Sequence, residues 1–168
     1  MRSLLRAFSA ALLGVLLSAQ VAAAKPPSRE AFIQEPVTFA AGEVCSFSVR
    51  LENVRGGQTL TAFANGTVRI TGSVWTRVTN VDRGKSVTVN ASGPATITPN
   101  SDGTVTLKAS GQFLLFFFPG ELGAGRDGAV LLTTGLVVER LTADFSEIIS
   151  FTHTGGTTED LCQTLLAQ

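Results

Sequence analysis

The chain has 168 residues, and its 13 Lys and Arg residues balance its 13 Asp and Glu residues, which leaves no net charge at pH 7. Charged residues make up only 15% of the chain, below the roughly 25% of a typical domain. This balance gives no overall attraction to nucleic acid or to anionic lipid, so we expect no nucleic-acid partner. The length suits one domain.

The first 24 residues have the layout of a secretory signal peptide. Arg2 and Arg6 form a positive segment, residues 7–17 are apolar, and small residues end at Ala24. The apolar segment is shorter than the roughly 20 residues of a membrane-spanning helix, so we expect cleavage near Ala24–Lys25, or one residue earlier, rather than an anchor. The mature chain would have 144 residues, 11 basic and 13 acidic, and no membrane span. Its predicted location is extracellular.

The mature chain is predicted to begin with a flexible N-terminal arm. Residues 25–36 are polar and contain prolines, and a single domain is expected at 37–168. Within it, residues 45–52 alternate between apolar and polar side chains. A period of two is typical of a strand with one buried face. Gly56–Gly57 predicts a turn.

The middle of the chain reads as short strands joined by tight turns. Gly72–Ser73 interrupts an apolar pattern and predicts a bulge or bend in a longer strand. Hairpin turns are predicted at 82–85 (DRGK) and at 99–103 (PNSDG). Strands are expected to follow these turns, at 86–92 and at 104–109.

Residues 113–118 (FLLFFF) form the longest apolar run of the mature chain. Such a run predicts a central strand covered on both faces, and we favour the core of a β-sandwich. The alternative is a closed barrel, in which these side chains would line a cavity for a small apolar ligand. The candidate core or ligand-lining residues are Phe113, Leu114, Leu115, Phe116, Phe117 and Phe118.

Residues 119–128 (PGELGAGRDG) form the longest predicted loop and contain four glycines. Surface loops are mobile and commonly carry binding function, so this loop is the default contact region. Its charged residues, Glu121, Arg126 and Asp127, are the candidate contacts.

The last long strands are predicted at 129–140 and 144–153, after which the pattern changes. Leu161 and Leu165 recur at helical spacing and predict a short helix over 158–167, with a final strand as the alternative. About nine short strands separated by turns predict a mainly β fold, an antiparallel β-sandwich or barrel with a short C-terminal helix.

Cys45 and Cys162 are the two cysteines of the chain. After export they would meet an oxidising compartment, where a bond between them is the expected state. This bond would join the first clear strand to the C-terminal segment and stabilise the fold by roughly 2–5 kcal/mol.

No arrangement of polar residues predicts catalysis, a metal site or a cofactor. His153 is the single histidine, and the nucleophile motif G-x-S-x-G is absent from the sequence. Several carboxylates could in principle form a catalytic pair, but we interpret them as solvated charges on strands and at the helix start; they are Glu139, Asp144, Glu147, Glu159 and Asp160. We therefore predict a non-enzymatic protein, with a hydrolase using Asp144, Glu147 or His153 as an alternative.

The order of five segments resembles that of small exported β-rich proteins of actinomycete bacteria, a group with two cysteines and no assigned function. The segments are 44–47 (VCSF), 78–94 (VTNVDRGKSVTVNASGP), 99–105 (PNSDGTV), 113–120 (FLLFFFPG) and 160–166 (DLCQTLL). The resemblance spans most of the mature chain. It implies export and a disulfide-closed β domain, and it transfers no catalytic residue.

The sequence thus predicts a secreted β domain that acts by surface binding or as a structural component. The alternatives are a carrier of a small apolar ligand in a barrel cavity and the hydrolase named above. The predicted partner is a protein or a small apolar ligand.

Overall fold

The computed structural model describes residues 26–167. The predicted signal peptide and its cleavage point at Ala24–Lys25 lie outside the described residues. The elements are β1 (Ser28–Phe32), β2 (Val37–Phe39), β3 (Val49–Ala62), β4 (Val68–Asn80), β5 (Lys85–Asn90), β6 (Ala95–Pro99), β7 (Val105–Phe117), β8 (Ala129–Leu141), β9 (Ile148–Thr154), β10 (Thr158–Asp160) and α1 (Leu161–Ala167).

All ten described strands belong to one antiparallel sheet with the order β1-β3-β4-β6-β7-β8-β10. The short strands β2, β5 and β9 extend it by pairing with β3, β4 and β8. The sheet does not close into a barrel, because β1 and β10 stay at its two ends. The predicted mainly β, sandwich-like fold with a C-terminal helix is confirmed, and the barrel alternative is wrong.

The sheet folds back on itself. Phe117 lies opposite Ala129 and Phe151 lies opposite Glu139, so ten residues of β8 separate the two rings. A straight strand would hold them about 33 Å apart. Their ring centroids are nevertheless 5.0 Å apart, so β8 must bend between them. Gly135 of β8 has a positive φ, and the other long strands β3, β4 and β7 carry similar glycines at Gly56, Gly72 and Gly111.

Gly72 shows why the bends use glycine. Its φ is 142°, and a Cβ atom there would lie 2.3 Å from the carbonyl oxygen of Gly57. Strand β4 continues through this position, so the predicted bend in a longer strand is confirmed. The predicted turn at Gly56–Gly57 is wrong, because both residues lie inside β3 and pair with β4. Glycine serves bends within paired strands as well as turns, so the Gly56–Gly57 pair alone does not distinguish a bend from a turn.

Two apolar clusters lie on opposite faces of the β7–β8 hairpin. Leu114 and Val130 belong to the first cluster, which also contains the disulfide and α1. Leu115 and Phe117 belong to the second, which packs against β9. The central part of the apolar run is therefore covered on both sides. Coverage over the whole of 113–118 was expected and is wrong, since Phe116 is 38% exposed.

The disulfide between Cys45 and Cys162 joins α1 to the segment that precedes β3, which confirms the predicted bond. The helix is shorter than predicted, because residues 158–160 form β10 and pair with β8. It begins after Asp160, whose carboxylate accepts hydrogen bonds from the backbone N–H groups of Cys162 and Gln163 at 2.8 and 3.3 Å. These bonds satisfy N–H groups that have no partner within a helix.

Two boundaries near the N-terminus differ from the predictions. Strand β1 lies within the predicted flexible arm at 25–36 and pairs with residues 58–62 of β3. All five of its residues are exposed, so it lacks the alternation that identifies a strand in a sequence. Burial alternates from Cys45 as predicted, but strand pairing begins only at Val49.

Candidate functional site

A cleft of about 130 Å³ lies between β7 and the β3–β4 pair. One wall is apolar and consists of Phe113, Leu114 and Phe116. Leu114 also belongs to the first apolar cluster, so the wall is a surface of the core. The remaining lining residues are Gln34, Glu35, Leu51, Glu52, Asn53, Gln58, Val74, Thr76 and Ala91.

The opposite wall of the cleft carries polar groups. The Thr76 hydroxyl, which is almost fully buried, donates a hydrogen bond of 3.1 Å to Oδ1 of Asn53. The register of β3 shifts directly after Asn53, and such bulges redirect side chains. The Glu52 carboxylate lies 3.1 Å from Arg50 Nε and 3.1 Å from Arg77 Nη1, so its charge is compensated. The cleft thus offers apolar side chains from β7 and, opposite them, a wall in which amides and carboxylates lie beside Leu51 and Val74.

An aromatic cluster of Phe39, Phe116 and Phe118 adjoins the cleft. The centroid of the Phe39 ring lies 5.1 Å from that of Phe116 and 5.9 Å from that of Phe118. Phe39 is buried, whereas Phe116 and Phe118 are 38% and 40% exposed. Phe116 belongs both to this cluster and to the cleft wall.

The six predicted lining residues therefore separate into three groups. Phe113, Leu114 and Phe116 line the cleft, and Phe113 also packs against the second apolar cluster. Leu115 and Phe117 lie in the second apolar cluster, and Phe118 lies in the aromatic cluster. The polar wall has no counterpart among the sequence predictions, because its residues come from β3, β4 and the segment after β1.

The predicted contact loop, residues 119–128, is closed by its own hydrogen bonds. The N–H of Gly120 donates to the carbonyl of Arg126 at 2.9 Å, and Oε2 of Glu121 accepts from the N–H of Phe118 at 2.6 Å. Arg126 and Asp127 are exposed, whereas Glu121 is half-buried. Two of the three predicted contact residues are therefore free to meet solvent.

Glu139 of β8 is a buried carboxyl group, only 6% exposed. It lies between Leu107 and Phe151 on the neighbouring strands. Burial, and secondarily the charge of Glu121, raise the pKa of Glu139 to about 7. The prediction of a solvated charge at Glu139 is wrong, because the bend in β8 turns this residue toward the second cluster.

His153 holds a structural position. Its Nε2 donates a hydrogen bond of 2.7 Å to the carbonyl oxygen of Thr134, and its Nδ1 lies 3.3 Å from the hydroxyl of Thr158. These contacts link β9, β8 and β10. The half-buried ring thus connects the three strands at the end of the sheet.

The structure does not bring the three hydrolase candidates together. Asp144 and Glu147 are exposed in the β8–β9 connection, while His153 is near the far end of β9, about 20 Å along the strand from Glu147. Hydrogen bonds from Thr142, and then from Ser146, lower the pKa of Asp144 to about 2. Over 26–167, no group of three or more potential metal ligands was found.

Comparisons with known proteins identify no relative of this chain. No family model, curated protein or solved structure matches this chain. The resemblance to exported actinomycete proteins stays a prediction. Between residues 26 and 167, the structure contains no helix long and apolar enough to cross a membrane.

Proposed function

We propose that this protein is a secreted, non-enzymatic binding domain whose cleft takes up a small ligand with an apolar ring or chain end. The cleft carries this proposal, because Phe113, Leu114 and Phe116 of β7 all contribute apolar surface to its lining. Its volume of about 130 Å³ is close to the ~150 Å³ of an apolar cavity that binds benzene. The inserted part of the ligand is therefore about one ring in size.

The polar wall defines the other half of the ligand. Small-molecule sites are mostly apolar and contain a few polar groups that fix the orientation of the ligand. In the cleft, Gln34, Asn53 and Gln58 supply amides, and Glu35 supplies a carboxylate. These groups suit a ligand that carries a hydroxyl or an amino group beside its apolar part. Benzyl alcohol is the simplest molecule of this kind.

An NMR titration with benzyl alcohol tests the cleft. We expect saturable shifts of the backbone amides that line it. Phe116→Ala removes part of the apolar wall and should weaken binding about tenfold, which corresponds to about 1.4 kcal/mol. Phe118→Ala is the matched control, because Phe118 is equally exposed and also contacts Phe39, but does not line the cleft. Equal losses in the two variants, or no saturable shifts, would contradict the assignment.

Export rests on the signal-peptide layout, and the disulfide is the state that an oxidising compartment favours. Intact mass spectrometry of the protein recovered from culture medium tests both the cleavage that accompanies export and the disulfide. A denatured mass equal to residues 25–168 less two hydrogens is expected. Extra mass in the native spectrum that is lost on denaturation would identify a bound ligand. A mass that retains residues 1–24 would contradict cleavage.

A further inference from the structure

The strand register places three basic residues in one line across the sheet. Arg29 lies opposite Thr61, which lies opposite Arg69. Arg69 lies opposite Thr96, which lies opposite Lys108. Directly opposed residues of antiparallel strands share a face, so all five side chains point the same way. With strands about 4.8 Å apart, the basic residues recur about every 10 Å.

This cationic row, defined as Arg29, Arg69 and Lys108 with the intervening Thr61 and Thr96, faces solvent. Its three basic side chains are exposed, and its two threonines are half-buried between them. Among the described residues, no carboxylate forms an ion pair with any of the three. Their charge is therefore available to a ligand.

The surroundings of the row are rich in hydroxyl groups. Five hydroxyl residues lie on the same face, two positions along their strands from members of the row: Thr59, Thr71, Thr98, Thr106 and Ser110. Thr152 of β9 lies opposite Val138, which lies opposite Lys108. The described strand positions on this face carry no carboxylate. One carboxylate reaches the face from a turn: Asp102 pairs with Arg140, which lies opposite Thr106 and is not part of the row. Three shallow depressions follow the row, and Arg69 lines all of them, so they are contiguous.

We propose that this face binds a linear acidic polysaccharide. Regularly spaced cations match carboxylates or sulfates that recur along a polymer, and hydroxyl groups both donate to and accept from sugar hydroxyls. Phe63, exposed at the edge of two depressions, offers an apolar surface to a sugar ring. The shallow, extended shape suits a polymer rather than a small molecule. This site is separate from the cleft, with which it shares no lining residue.

Other polyanions fit the face less well. Single-stranded nucleic acid is held by successive bases stacked on aromatic side chains, and Phe63 is the one aromatic residue that lines these depressions. An anionic membrane is attracted to clusters of four to eight basic residues, and this row has three. The hydroxyl groups between the cations favour a carbohydrate.

Calorimetric titration with oligogalacturonate at low ionic strength tests the proposal. We expect binding that weakens with added salt. The triple variant Arg29→Gln, Arg69→Gln, Lys108→Gln should lose about tenfold or more in affinity, with an unchanged circular dichroism spectrum. Thr96→Val removes one hydroxyl at constant shape and should also weaken binding.

The matched control removes three cations elsewhere: Arg55→Gln, Lys85→Gln, Arg126→Gln. It should change the affinity for oligogalacturonate by less than about twofold. Equal losses in both triple variants would show general charge attraction and overturn the proposal. So would undetectable binding, equal binding of uncharged dextran, or tighter binding of oligothymidylate or of phosphatidylglycerol vesicles. Benzyl alcohol binding in the cleft should survive the row variant, so failure at one site is distinguishable from failure at the other.

Discussion

The buried carboxyl of Glu139 makes the stability of this protein depend on pH. Its pKa is about 7 in the folded protein, against 4.5 for an ordinary glutamate. Below about pH 4.5 both the folded and the unfolded state carry the proton. As the pH rises toward 7, the unfolded state releases the proton first, so the free energy of unfolding falls. A pKa difference of one corresponds to about 1.4 kcal/mol. The free energy of unfolding therefore falls by about 3 kcal/mol in total between about pH 4.5 and pH 7, and this loss is complete above pH 7.

Glu139→Gln removes the titrating group at nearly constant volume. We expect the variant to gain stability relative to the wild type as the pH rises, by about 3 kcal/mol between pH 4.5 and pH 8. Urea denaturation at several pH values across this range measures the difference. The hydrogen-bonding preferences of the new amide add an offset that is constant with pH. The change in the difference with pH therefore reports Glu139 alone.

Two further variants test what raises the pKa of Glu139. Glu121→Gln removes the secondary cause of the raised pKa and should reduce the pH dependence only in part, because burial is the larger cause. Glu147→Gln removes an exposed carboxyl near the start of β9 and serves as the control. If Glu139→Gln keeps the pH dependence of the wild type, the assignment of a buried, protonated carboxyl is refuted.

Three further predictions concern stability and are measured as the free energy of unfolding. Replacing Cys45 and Cys162 by Ala should cost about 2–5 kcal/mol, and an unchanged wild-type stability after reduction would contradict a structural role for the bond. Gly72→Ala should cost at least about 3 kcal/mol, because its Cβ would meet backbone atoms. Gly123→Ala is the control, because Gly123 has a comparable φ of 122° but open space around it, and it should cost less. Equal costs would show that the close approach is unimportant. Asp160→Ala should cost about 1 kcal/mol through loss of the helix cap, whereas Asp160→Asn should retain most of it.

Local sequence features by themselves determined several parts of this protein. The hairpin turn predicted at 82–85 lies at 81–84 and depends on a short stretch of turn residues. The bend at Gly72 depends on a single residue type. The disulfide was predicted from the presence of two cysteines and from the expected export of the chain. Alternation of side chains identified the mainly β fold, because a period of two has one structural meaning.

The tertiary structure alone decided which side chains meet. Nothing near Glu139 in the sequence distinguishes it from an exposed strand glutamate, and only the folding back of the sheet buries it. The polar wall of the cleft comes from segments up to about 40 residues apart in the chain. The cationic row spans residues 29 to 108, so a net charge of zero conceals it. Strand register and the bends at the glycines set these distances, and both arise from pairing between segments that are remote in sequence.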